Sequence, residues 1–282
     1  MAETAFQIQY RQEFIAAFEQ HQSLLRESTT TEAVIKGNQA TFLVAGSGGA
    51  TAKTRGVNGL IPARGDDLQQ PVATLVEWHD LVRKTDFNIF ASQGNQRAIM
   101  QMTCMAVINR KIDQDIIGEL ATGTINTGAA AAPTLNLCLE AKTRLGQADV
   151  PYDGRITMLV TPNFEGVMLT LASFTSRDFT QNGPIDNVPQ AWRDRQQTYK
   201  WLGMNWIVHP DLPGNATADG DCFAYHQNAI GHAYNADNME ARAGYDEEQD
   251  YSWSRCSIYM GSQLLQNSGV VVVNVIDNTL IV

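Results

Sequence analysis

Apolar residues along this chain fall into three regimes: helical spacing, strand alternation, and a long stretch where neither holds. Asn95 to Leu120 is the clearest helical pattern. There Ala98, Met102, Met105, Ile108, Ile112, Ile116 and Leu120 recur in steps of three or four and predict one continuous apolar face. Arg97, Arg110, Lys111, Asp113 and Asp115 fall largely off that face, with Lys111 and Asp115 spaced to pair across one turn. Such a helix is roughly 39 Å long, about the width of a domain, and Gly118 and Gly123 loosen and end it. Residues 5–26 repeat the pattern with Phe6, Tyr10, Phe14, Phe18 and Leu25, and the polar run Glu27 to Glu32 would let this helix act as an arm.

Thr41 to Ala45 reads as a short strand that Gly46-Ser-Gly-Gly49 breaks. From there to Gln70 the chain is punctuated by Gly56, Asn58-Gly59, Pro62 and Gly65-Asp66-Asp67. Structureless loops of this length are uncommon in compact domains and usually serve a function. Pro71 to Lys84 returns as an imperfectly alternating extended segment, so the two extended pieces predict a long β-hairpin projection.

A small-residue linker, Thr122 to Pro133, precedes a helix opened by Pro133 and carrying Leu135, Leu139, Ala141 and Leu145. Arg155 to Val160 predicts a buried strand, Thr161-Pro162 a second helix, and Leu202 to Val208 another strand, followed by strand-like Cys222 to Tyr225. This alternation predicts a compact α/β lobe over residues 131–238. Tyr251 to Leu264 and Gly269 to Val275 then flank a turn at Gln266-Asn-Ser-Gly269 and predict a closing hairpin packed on the long helix.

The length of 282 residues and a hydrophobic content of 44% suit a folded chain with a large core. The formal net charge of −10 argues against a surface that grips nucleic acid; Arg193, Arg195 and Lys200 are the nearest approach to a basic patch. No apolar run reaches the length of a membrane span, and the N-terminal residues lack the pattern of a secretory signal, so a protein made and assembled in the cytoplasm is expected. Cys104, Cys138, Cys222 and Cys256 are scattered without CxxC spacing and are expected to be reduced, buried thiols.

A search for chemistry returns little. Gly46 to Thr54 superficially resembles a phosphate loop but fails its spacing and has no helix to follow it. Cys222, His226, His232 and His209 match no standard zinc spacing, so core packing is the better reading. The run Asp246-Glu-Glu-Gln-Asp250 lacks the alternate ligands of a calcium loop, which leaves a solvated turn or salt bridges to a neighbour's Arg or Lys. No catalytic residue, metal site or cofactor is therefore expected.

Two stretches carry a family resemblance. One runs Thr85-Asp-Phe-Asn-Ile-Phe90, then Asn95-Gln-Arg-Ala through Asn109-Arg-Lys-Ile-Asp-Gln-Asp-Ile-Ile117. The other runs Gly244-Tyr-Asp-Glu-Glu-Gln-Asp-Tyr251, then Ser257-Ile-Tyr-Met-Gly-Ser262 and Gly269-Val-Val-Val-Val273. Together with the element order they resemble tailed-bacteriophage major capsid proteins of the Hong Kong 97 type. The resemblance implies an α+β capsid fold: an N-terminal arm (1–40), an extended β-hairpin loop (41–84), a peripheral domain with a long spine helix (85–130 and 239–282) and an α/β axial domain (131–238). It implies pentamers and hexamers of the chain forming an icosahedral shell around double-stranded DNA, located in the virion. A portal is implied, and the short arm implies a separate scaffolding protein; whether a decoration protein binds stays open. Phe6, Tyr10, Phe14 and Phe18 of the arm, with Lys53, Arg55, Val57, Leu60, Ile61 and Arg64 of the loop, are the expected contacts between subunits. A crosslink from Lys53 to Asn267 or Asn274 of a neighbour is the weakest of these implications. The alternatives are an encapsulin-like compartment shell and, from a different class, a metal-dependent hydrolase using the acidic run and the histidines.

Overall fold

The computed structural model describes residues 22–31, 33–65, 67–91, 96–171, 198–235 and 240–278. Phe6, Tyr10, Phe14, Phe18, Arg193 and Arg195 lie outside them. Of the helix expected over 5–26, residues 22–25 are described and are not helical, and Arg26–Ser28 forms a single 3-10 turn. The described chain divides into two compact units.

One unit takes Glu77–Lys111 and Asn235–Tyr259. Its strands are β6 (Val76–Thr85), β12 (Glu240–Asp246) and the first part of β13 (Tyr251–Leu264), with β6 pairing β13, whose last residues pair β11 (Ile230–Tyr234). β12 and β13 form an antiparallel hairpin, Asp246 facing Tyr251, so the acidic run is its solvated turn. Along β13 burial alternates: Ser252, Ser254, Cys256 and Ile258 are buried, and the residues between them are half-buried. That period of two is what a sheet with one covered face requires. Helix α1 (Asp86–Ala91) and the first part of α2 (Gln96–Leu120) belong here, and the Cys104 thiol donates to the Ser254 carbonyl at 3.5 Å.

Helix α2 matches the expected span, but its buried stripe differs. Met100, Cys104, Ile108, Ile112, Ile116 and Leu120 are buried, whereas Ala98 is exposed and Met102 and Met105 are half-buried. Steps of four advance the stripe by about 40° per turn, so it winds around the helix instead of forming a straight face. Asp113, expected off the apolar face, is fully buried. The expected pairing of Lys111 with Asp115 gives way to other partners: the Lys111 ammonium lies 4.1 Å from the Trp78 ring centre, and Asp115 accepts from the Ser262 hydroxyl at 2.7 Å.

The other unit takes Leu24–Val76, Ile112–Tyr234 and Met260–Val282. Its centre is a five-stranded sheet, order β14-β10-β7-β9-β8. β7 (Ile156–Val160) is buried at every position between parallel β9 (Met204–Val208) and antiparallel β10 (Gly220–His226). β8 (Thr198–Trp201) pairs β9, and β14 (Val270–Val275) pairs β10. Helix α3 (Leu135–Gln147) is capped by the Thr134 hydroxyl, so Pro133 stands just outside it, and it buries Leu137, Cys138, Ala141 and Leu145. Helix α4 (Pro162–Leu169) is capped by Thr161, with Pro162 supplying a fixed φ where no N–H is needed.

The expected closing hairpin is not formed. β13 and β14 lie in different sheets, and Asn267–Gly269 is a 3-10 turn in the crossover between them. The physical reason is in the burial: β14 is apolar and covered on both faces at Val270 to Val273, which a one-sided hairpin cannot provide. Its outer edge is closed by the small-residue linker, through Val272 N to Ile125 O at 2.7 Å, Thr127 N to Val272 O at 3.0 Å and Ile276 N to Ala131 O at 2.9 Å.

Strands β1 (Val34–Lys36), β2 (Gln39–Thr41) and β5 (Val72–Thr74) make a small sheet, and β3 (Val44–Gly46) pairs β4 (Asp67–Gln69). Registers Gln39 to Thr74 and Val44 to Gln69 make residues 39–46 and 67–74 the two sides of one hairpin. The second side ends at Thr74, earlier than the sequence pattern suggests, because β6 departs to pair β13.

Candidate inter-subunit surface

The base of the hairpin is fixed by a small core. Phe42, 2% exposed, is packed with Ala40, Ala73, Ala233 and Leu265. Its ring occupies space left by Gly231: a Cβ there would lie 2.6 Å from two ring carbons. Gly261 does the same for the backbone, since a Cβ would collide with the Thr74 carbonyl oxygen. Phe42 N donates to Pro71 O at 3.0 Å and Leu75 N to Asn38 O at 2.8 Å, which close the base.

Beyond Gly46 the described residues of the loop, 47–65, make no regular structure. Its tip is a turn in which Gly59 N donates to Gly56 O at 2.8 Å and Gly56 N to Leu60 O at 3.0 Å. Gly59 has φ +72°, a left-handed value that explains the Asn-Gly pair there. The Arg55 guanidinium donates to Gly59 O at 3.3 Å, and Arg64 reaches across to Ser47 O at 3.1 Å. Apolar side chains around this frame have no cover: Val57 is fully exposed, Leu60 73% and Ile61 69%, with Leu43 and Leu68 similarly open below them. Lys53, Arg55 and Arg64 are exposed beside them, and residues 47–65 contain no Asp or Glu. The six loop residues singled out from sequence, neighbours along the chain, are all exposed. A polar backbone displaying bare apolar side chains is suited to burial against another surface.

The residues weighed for chemistry are dispersed. His209 Nε2 bonds buried Asp113 at 3.3 Å while its Nδ1 accepts from Asp211 N. His226 Nε2 bonds Asp153 at 3.1 Å. His232 Nδ1 meets Ser262 Oγ at 2.9 Å; because that hydroxyl donates to Asp115, the imidazole proton sits on Nδ1. Cys222 is buried in β10, and burial pushes its thiol up to about 12. Among the described residues no group of three His, Cys, Asp or Glu is placed to hold a metal ion.

Two buried carboxylates escaped the sequence reading. Asp113 accepts from Leu24 N at 3.1 Å and Leu25 N at 3.2 Å besides His209, which ties the chain after the N-terminal segment to α2. Asp277 accepts from Thr161 Oγ1 at 2.7 Å, Asn163 Nδ2 at 3.3 Å and Ala216 N at 2.9 Å. Only an acid amid apolar neighbours, such as Ile112-Asp113 and Val275-Ile-Asp277, signals either one.

Comparison with known proteins places this architecture. A family model described as phage capsid protein matches residues 2–277. No curated protein sequence matches the chain. Among solved structures, the fold is similar to that of Mycobacterium phage Che8, with a TM-score of 0.70 at 17% identity, covering 97% of this chain and 98% of that one. It is also similar to the capsid of cyanophage P-SCSP1u, TM-score 0.73, 12% identity, covering 96% and 93%. The capsid of a native GTA particle gives 0.68 at 12% identity, covering 98% and 97%.

Proposed function

The chain belongs to the phage capsid protein family, and from that premise we propose that it is the major subunit of an icosahedral shell enclosing the double-stranded DNA of a tailed bacteriophage. The observation that carries this reading is the family match, which spans residues 2–277. The work of such a subunit is mechanical and non-enzymatic. It gathers as pentamers and hexamers in the host cytoplasm, with a separate scaffolding protein and a portal, and the finished shell resides in the virion.

The extended loop read from sequence as 41–84 is in this reading the hairpin of residues 41–74, laid over an adjacent subunit behind an N-terminal arm of residues 1–40, with β6 left to the other sheet. The peripheral domain read from sequence as 85–130 and 239–282 corresponds to the unit of Glu77–Lys111 and Asn235–Tyr259. The axial domain read as 131–238 corresponds to the unit of the five-stranded sheet, which also takes residues 112–130 and 260–282 because β14 pairs β10. The exposed tip supports the loop assignment. Burying Val57, Leu60 and Ile61 on a neighbour releases about 1.5–3 kcal/mol each, before the costs of ordering and association. Modest contacts of this kind become decisive when closure repeats them around a shell. A net charge of −10 suits a container that DNA must enter and leave.

Electron microscopy of the purified full-length protein, expressed with its scaffolding partner where one is required, tests the proposal. Closed shells of uniform size are expected, and deletion of residues 52–66 should abolish them. Persistent monomers would refute the capsid reading, shells filled with an enzyme would replace it with a compartment, and shells formed without residues 52–66 would refute the loop assignment.

A further inference from the structure

We propose that Cys104 and Cys256 form an oxidation site, at which hydrogen peroxide converts one thiol on α2 and one on β13 into a disulfide that staples the long helix to its sheet. Both residues lie within one compact unit, and the shell reading supplies only the setting. Three observations carry the site. First, residues far apart in sequence bring their sulfurs together. The two thiols are in hydrogen-bonding contact, and Cys104 Sγ lies 3.5 Å from the carbonyl oxygen of Ser254. Ser254 and Cys256 are alternate residues on the covered face of β13. Thiols in contact need side-chain rotation alone to approach the roughly 2.05 Å of an S–S bond. Second, the Ser254 hydroxyl is buried on that face without a hydrogen-bond partner, so it can hold the oxygen of a peroxide or a sulfenic acid beside the sulfurs. Third, the cover is thin on one side. Ala241, the cross-strand neighbour of Cys256, is exposed and shields it with a methyl group alone.

The surroundings set the order of events. Burial, and then the Asp80 carboxylate, push the Cys104 thiol up to about 12. The Cys256 thiol is raised by the same two causes, but its contact with Cys104 offsets part of the rise. Cys256, under the thinner cover, therefore reacts first. Its thiolate attacks one oxygen of hydrogen peroxide and the O–O bond breaks, leaving Cys256 sulfenic acid and a hydroxide that the thiol proton turns into water. The Cys104 sulfur then displaces the sulfenic oxygen, which leaves with the Cys104 proton as a second water while the S–S bond forms. The two thiols lose two electrons and the peroxide gains them. Raised thiols in a reducing cytoplasm stay reduced while the chain folds, and peroxide met outside the host closes the pair.

The test treats the folded full-length protein with hydrogen peroxide and counts free thiols in denaturant. The 4 thiols of the chain should fall by half, and a non-reducing digest should yield a peptide joining Cys104 to Cys256. Closure should raise Tm by roughly 5 °C or more, and dithiothreitol should reverse the rise. In Cys104→Ser the sulfenic acid has no partner, so dimedone should label Cys256; in Cys256→Ser no label should appear on Cys104. Circular dichroism establishes that both variants are folded. Survival of all the thiols, a link through Cys138 or Cys222, or dimedone on Cys104 in place of Cys256 would overturn the site. Shell formation enters none of these readouts, so this site and the capsid reading fail separately.

Discussion

Replacing Phe42 by alanine measures how firmly the loop is tied to its own subunit. The side chain is 2% exposed and rests among Ala40, Ala73, Ala233 and Leu265. Three of those four neighbours have no side chain that can swing into the vacated space. Half-buried Val44 and Leu75 border the cluster and can close part of the cavity, so the loss falls in the middle of the range for deleting a buried phenyl ring, about 4 kcal/mol. Gly231→Ala strikes the same contact from the other side. A methyl 2.6 Å from two ring carbons is well inside ordinary contact distance, and moving the ring costs about 1–3 kcal/mol. In Phe42→Ala/Gly231→Ala the clash vanishes and the methyl enters the empty space. The double variant should be more stable than the sum of the single losses by about 1–3 kcal/mol. Urea titrations of the unassembled subunit measure all three, and limited proteolysis should show residues 34–76 cleaved faster in Phe42→Ala. Losses that add to within about 0.5 kcal/mol would refute the lock between Phe42 and Gly231.

Other expectations follow from the buried polar groups. Asp113→Ala strands two buried backbone N–H groups and the His209 ring, and should cost about 3–5 kcal/mol in the same titration; a loss below about 1 kcal/mol would contradict the hub. His232 is held down from 6.5 to about 4, first by burial and then by the Arg26 charge, against the opposing pull of Asp115 and Asp113. Because the unfolded imidazole takes a proton that the folded one refuses, stability should fall as pH drops from 6.5 towards 4, by about 3 kcal/mol from this group. His232→Asn, which keeps a donor for Ser262, should flatten that part of the profile; an unchanged slope would exclude the assignment. Burial raises the Cys138 and Cys222 thiols to about 12, so both should stay unmodified by a thiol reagent at pH 8 and react only in denaturant.

What could be read from sequence divides along physical lines. Helix α2 was legible because a 25-residue helix repeats its signal many times. Its buried side is less legible in the first half, where small Cys104 and Ala106 are buried and the larger Met102 and Met105, which dominate the apolar pattern, are only half-buried. The β1–β2 hairpin was missed although Gly37-Asn38 marks it, with Gly37 at φ +63°. Which strands pair was far less legible. β14 follows β13 closely in sequence but pairs with β10, whose residues lie about fifty positions earlier; that choice depends on which faces end up covered. The buried acids were invisible for the same reason, because Asp113 is satisfied by His209 from 96 residues away. The loop tip was legible as a surface because Gly, Asn and Pro punctuation leaves Val57, Leu60 and Ile61 nothing local to pack on.

The charge of the loop tip acts by exclusion. Two free subunits meeting loop to loop would bring Lys53, Arg55 and Arg64 against three identical cations, while the apolar side chains between them invite that very pairing. Repulsion removes the symmetric dimer from the set of low-energy encounters and leaves encounters between unlike surfaces. A symmetric dimer would consume both sticky tips and stop growth at two. Identical positive tips instead keep each subunit open to the next.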